Sequence, residues 1–184
     1  MRLSRRTALL LGVPGLTLAA WPGRAAAADI GQQIKAAYLY KFVTYVEWPA
    51  SAFDKPNAPL TIGILGANGV EAELANLAGA RPANNRALEV KRLSPGGALA
   101  GLQMLFIGGD ENPRLKTLLE GIQAQPVLSV TESAGALGAG SVINFVAVDD
   151  RIRFEVSLAQ AERSGLKISS RLLAVAQKVE TRKP

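Results

Sequence analysis

Leu60-Thr61-Ile62-Gly63-Ile64-Leu65 is a short, nearly continuous apolar run. Such a run is typical of a strand covered on both faces in a parallel sheet. Gly66-Ala67-Asn68-Gly69 turns the chain, and Val70 to Ala80 reads as a helix. Leu88 to Leu93 alternates as a strand. Met104 to Ile107 is another buried strand, closed by Gly108-Gly109. Asn112-Pro113 then predicts a helix through Ile122, with Asn as its cap and Pro in its first turn. Pro126 to Val130 is strand-like, and Gly135 to Gly140 is a Gly/Ala loop.

Outward from this block, Ile30 to Trp48 reads as an amphipathic helix. Ile34, Tyr38, Phe42 and Tyr45/Val46 recur at helical spacing, and Pro49 stops it. On the other flank, Ser141 to Val148 and Arg151 to Ser157 read as a hairpin turning at Asp149-Asp150. Leu158 to Ser164 is predicted helical and closes at Gly165. Ser169 to Val179 is predicted as a final amphipathic helix with Leu172, Leu173 and Val175/Ala176 inward. Strands alternating with helices, followed by a hairpin, predict an α/β fold. The expected architecture is a mostly parallel sheet with helices on both faces and a C-terminal antiparallel hairpin, a Rossmann-like three-layer sandwich.

The first residues have the layout of a secretory leader. Arg2, Arg5 and Arg6 precede an apolar stretch from Ala8 to Ala20, and Ala26-Ala27-Ala28 offers small residues for cleavage. Pro14 and Gly15 interrupt the stretch, which is short for a membrane span. Ser4-Arg5-Arg6-Thr7-Ala8-Leu9 is close to a twin-arginine signal. Residues 1–28 are therefore expected to be a signal peptide and residues 29–184 one exported domain. The net charge of +6 belongs mostly to the leader, which holds Arg2, Arg5, Arg6 and Arg24 and no acid. The remainder is close to neutral, which gives no argument for nucleic acid.

The chain has no Cys and no His. That removes disulfides, thiolate nucleophiles, Ser-His-Asp and Cys-His catalysis, and the commonest zinc sites. Asp149/Asp150 and Asp110/Glu111 fall in turns, without the apolar setting that raises a carboxyl pKa. A binding protein without cofactor or metal is expected, not an enzyme.

Four features merit a functional reading. Gly63-Ile-Leu-Gly66-Ala-Asn-Gly69 lacks the GxGxxG spacing, and no acid ends the second strand to hold a ribose, so a compact turn is the better reading. Lys41, Glu47 and Trp48 on the first helix suit either a snorkelling lysine with an end-of-helix aromatic or a contact surface. Arg151, Arg153 and Glu155 share one strand face by period-two alternation, while Ile152, Phe154 and Val156 face the core. Such charges also protect an edge strand. Lys167, Ser169 and Arg171 cluster at a predicted helix start, where an anion would be favoured.

Lys35-Ala-Ala-Tyr-Leu-Tyr-Lys-Phe-Val-Thr-Tyr-Val-Glu-Trp-Pro49 resembles the opening helix of the YfiR family of periplasmic proteins. Val127–Ser133, Ser141–Val146, Arg151–Glu155 and Gly165–Leu173 resemble its later blocks, in order. The resemblance spans essentially all of residues 29–184. It implies an α/β dimer that represses a membrane diguanylate cyclase through the cyclase's periplasmic domain, and that an outer-membrane lipoprotein can sequester. Nucleotide-like or aromatic ligands are associated with the family. Its best-known members use Cys pairs, which this chain lacks, so redox switching is not expected here. On this resemblance the partner surface is expected at Lys41, Tyr45, Trp48, Arg153 and Glu155. The alternative is a small-anion or nucleotide-like ligand site at Lys167, Ser169 and Arg171.

Overall fold

A computed structural model describes residues 23–80 and 82–181. The start of the expected leader, residues 1–22, lies outside them. Helix α1 (Gly23–Tyr45) leads into the two-residue strand β1 (Val46–Glu47). The central block is β2 (Leu60–Leu65), α2 (Asn68–Ala80), β3 (Leu88–Arg92), β4 (Met104–Ile107), α3 (Leu115–Gly121), β5 (Leu128–Thr131) and α4 (Ala136–Ala139). The hairpin β6 (Ile143–Val148) and β7 (Arg151–Ser157) follows. Then come α5 (Leu158–Arg163), β8 (Lys167–Ile168), α6 (Ser170–Leu173) and β9 (Lys178–Glu180).

Seven strands form one sheet in the order β3-β2-β4-β5-β6-β7-β9. β3, β2, β4, β5 and β6 run parallel, β7 returns antiparallel to β6, and β9 joins parallel to β7. The expected sandwich is present, and β4 shows why. Met104 and Phe106 belong to the core beneath α1 and α2, whereas Leu105 and Ile107 belong to the core beneath α3 and α4. A strand with both faces covered needs apolar side chains at every position, because successive residues point to opposite sides.

α1 is held by an aromatic cluster. Phe42 lies 5.0 Å from Phe154 and 5.8 Å from Phe145, ring centre to ring centre, and Tyr38 packs on all three. Phe145 and Phe154 are cross-strand partners in the hairpin. The hairpin turn places Asp149 and Asp150 at φ 48° and 56°, the left-handed pair that matches the twist of the flanking strands.

Several expectations change. The inward stripe of α1 is Ala36, Leu39, Phe42 and Val43, and Ile34 faces solvent. The helix ends at Tyr45 rather than Trp48, because Val46 and Glu47 pair with Ile168 and Lys167 of β8. Asn112 does not cap a helix. Gly109–Arg114 is a 3-10 turn, α3 starts at Leu115, and the Ser133 hydroxyl donates to Asn112 Oδ1 instead. The Gly135–Gly140 loop holds one helical turn, bounded by Gly135 and Gly140 at positive φ.

The largest change is at the C-terminal end. The helix predicted over Ser169–Val179 stops at Leu173, and Lys178–Glu180 becomes a strand. Gln177 N–H donates to the Phe154 carbonyl, and Val179 pairs with Val156. Sheet pairing outweighs a helical pattern of only a few residues. β7 is therefore covered along Glu155–Ser157 and is not the terminal strand. Lys178 Nζ donates to Glu180 Oε1 at 2.7 Å. That bond, followed by the same pair's charge attraction, raises the lysine pKa above its ordinary 10.5. A raised lysine pKa gives a contribution that is complete at neutral pH and lost only as pH climbs through the raised value.

Phe42→Ala is expected to destabilise the domain by about 3–5 kcal/mol, read as a lower denaturant midpoint at unchanged m-value.

Candidate functional site

In doubly wound sheets, ligands sit beyond the carboxyl ends of the strands, where the winding reverses. Here that point lies between β2 and β4, and its cleft is lined by Lys35, Gly66, Asn68, Gly109 and Glu132, among others. The chain fills the anion position itself. Gly109 N–H donates to Glu132 Oε1 at 2.8 Å, and Lys35 pairs with Glu132 Oε2. The two turns also pack tightly, since a Cβ on Gly108 would come 2.3 Å from the Gly66 carbonyl oxygen. The Gly63–Gly69 motif is thus a compact turn.

The candidate site lies at the opposite, amino-terminal end of the strands. A cleft of ≈ 570 Å³ opens between the end of α1 and the β8–α6 segment. That volume lies within the usual range for a ligand site, about 300–1,000 Å³. Tyr45, Trp48 and Phe53 supply aromatic surface, and Arg86 and Arg171 supply positive charge.

Each wall is fixed by satisfied polar contacts. Trp48 Nε1–H donates to the Gln103 carbonyl at 2.9 Å. The buried Gln103 side chain accepts from Thr61 N–H at 2.8 Å and donates to the Ala52 carbonyl at 2.6 Å. This network roots the indole at the base of β2 and β4. Arg86 stacks over the Phe53 ring at 3.8 Å and donates to the Ala58 carbonyl at 2.7 Å. The stack keeps the guanidinium plane at the mouth of the cleft. Asn84 sits at φ 50°, and its side-chain amide donates to the Val43 carbonyl at 2.8 Å, near the end of α1.

The far wall is the β1–β8 ribbon. Val46 pairs with Ile168, Glu47 pairs with Lys167, and Ser169 N–H donates to the Tyr45 carbonyl at 2.9 Å. Ser169 Oγ accepts from Arg171 N–H at 3.3 Å, so it caps α6 as its position suggests. α6 is a single turn, however, and carries far less dipole than a helix running to Val179.

The structure therefore joins residues from two separate predicted groups. Tyr45 and Trp48, expected at a partner surface, line one cleft with Ser169 and Arg171, expected at a ligand site. Lys167 is exposed beside it on β8. Lys41 is exposed on the solvent side of α1, and Arg153 and Glu155 lie on β7; none of the three lines the cleft. Sequence reasoning missed Phe53, Asn84 and Arg86. The consecutive asparagines were the available signal, because Asn tolerates the left-handed conformation that a tight turn needs.

A sequence model described as YfiR/HmsC-like matches residues 32–177. The chain belongs to the YfiR/HmsC-like family. The match takes in all of the cleft's residues and every block in which the resemblance was noted. This is a family of periplasmic regulators of cyclic-di-GMP signalling. No curated protein matches the chain. Among the described residues, no helix is long and apolar enough to cross a membrane.

Asn84→Gly keeps the left-handed backbone available and deletes only the bond to Val43. It is expected to cost about 1 kcal/mol in denaturant unfolding. Asn84→Ala is expected to cost more, because it adds the strain of a positive φ.

Proposed function

We propose that this protein represses a membrane diguanylate cyclase, or a related membrane sensor, by docking its aromatic–arginine cleft onto that protein's periplasmic domain. The observation that carries the reading is the joining of Tyr45, Trp48, Arg86 and Arg171 in one cleft. Trp, Tyr and Arg are the residues that dominate binding energy at protein interfaces. The absence of imidazole and thiol from the sequence fits a role in binding rather than catalysis. Export by the twin-arginine route, a two-fold dimer and sequestration by an outer-membrane lipoprotein complete the reading.

A second reading is favoured by the two arginines. A small anion or a nucleotide-like ligand would fit the same cleft, with Lys167, Ser169 and Arg171 as its polar contacts. The two readings are compatible if a ligand biases the population that binds the partner.

Replacing the chromosomal gene with one encoding Trp48→Ala or Arg171→Glu is expected to raise cellular cyclic-di-GMP at unchanged levels of the protein. Unchanged cyclic-di-GMP with normal accumulation of both variants would refute the regulator reading. For the second reading, Lys167→Ala with Arg171→Ala is expected to abolish the heat of binding of a nucleoside monophosphate. Equal affinity in the variant and the original protein would remove the anion site.

A further inference from the structure

β9 covers only part of β7. It pairs with Glu155, Val156 and Ser157 and leaves Arg151 to Phe154 without a strand partner on that side among the described residues. Backbone direction can be assigned there. Ser157 N–H is turned towards the β6 side, where it donates to the Val142 carbonyl, and the Phe154 carbonyl is turned towards the β9 side, where it accepts from Gln177 N–H. The N–H and C=O of one residue point the same way, and the direction alternates along a strand. Ile152 therefore presents both its N–H and its C=O to the open side.

Apolar surface lies directly above this gap. A Cβ on Gly31 would sit 3.9 Å from Ile152 Cδ1, and Tyr38 packs against Phe154, so this stripe of α1 rests on β7. Gln32 lies against Gly69 of α2, which marks the other flank of the helix. At 100° per residue, Ile34 falls beside the Gly31–Tyr38 stripe on the flank away from α2, whereas Ile30 lies further round, near the line of Lys41. Ile34 is 39% exposed, one of four large exposed apolar side chains among the described residues.

The other face of the gap is basic. Arg151 and Arg153 alternate with Ile152, and neither forms an ion pair among the described residues.

We propose that the open Arg151–Arg153 edge of β7 receives an extended segment of a partner protein, added as a strand in line with β9. The segment alternates acidic and apolar side chains. Its acids face Arg151 and Arg153, and its apolar residues pack beside Ile152 and Ile34. Main-chain bonds supply affinity in strand addition, and alternate side chains supply selectivity. A second copy of this chain is a poorer occupant, because pairing β7 with β7 would bring four unpaired arginines together. The edge lies towards the carboxyl-terminal end of the parallel strands, away from the cleft, and the proposal does not depend on the regulator reading.

The test uses two short capped peptides, one alternating glutamate and valine and one alternating lysine and valine, each titrated into the purified protein. The glutamate peptide is expected to bind, to slow amide exchange at Ile152, and to bind about tenfold more tightly than the lysine peptide. Arg151→Glu with Arg153→Glu is expected to reverse that preference while the free protein still unfolds in one cooperative transition near the original midpoint. The proposal is overturned if the peptides bind equally, if neither binds, or if protection appears at another segment. It is also overturned if the protein is a dimer that the double variant dissociates, since a second copy then holds the edge.

Discussion

The packing of Phe42 and Tyr38 against Phe145 and Phe154 fixes everything that follows. These rings clamp α1 across the β6–β7 hairpin. Because α1 is continuous with β1, the clamp also sets where Tyr45, Val46 and Trp48 emerge. β1 then recruits β8, and β8 carries Ser169 and Arg171 to the same place. The candidate cleft thus depends on a buried aromatic cluster in the last two turns of α1. Aromatic clusters suit this task, since each ring buries a large area and holds few rotamers.

The two ends of the sheet are used differently. At the carboxyl end, where this class of fold ordinarily receives ligands, the Lys35–Glu132 ion pair and the tight Gly66–Gly108 approach occupy the crevice. At the amino end, three aromatic side chains and two arginines remain available above a rigid base formed by Gln103. Burial of the Gln103 amide is tolerable because both ends of the side chain are paired, and its main-chain carbonyl holds the Trp48 indole N–H. The candidate cleft therefore lies at the end away from the expected crevice.

The parallel core was legible in the sequence because doubly covered strands leave a plain mark. Leu60–Leu65 and Met104–Ile107 are apolar at nearly every position, and each is closed by Gly. The hairpin was legible because two apolar-rich runs flank the turn pair Asp149-Asp150. The first helix was legible in orientation at Tyr38, Phe42 and Val46, which face the core, but not in its bounds. Ile34 fits the apolar stripe by spacing, yet α1 turns it outward in favour of Ala36, Leu39 and Val43. The C-terminal end was misread because Leu172, Leu173 and Ala176 satisfy a helical period, whereas Val179 is held by pairing with Val156, more than twenty residues away in sequence. The union of the two predicted groups of site residues, through the pairing of β1 with β8, leaves no local signal at all. Two-residue strands have no period, and their partners are distant. Two of the blocks that resemble the family, Lys35–Pro49 and Gly165–Leu173, both contribute residues to this cleft.

The account stands or falls on whether that cleft is the surface presented to a membrane partner. A photo-cross-linking amino acid placed at position 45 in living cells tests it directly, with position 116 on the opposite face as the comparison. The account predicts an adduct between the position-45 protein and an inner-membrane cyclase or sensor, and none from position 116. Equal adducts from both positions, or a membrane-protein adduct from position 116 alone, would contradict it.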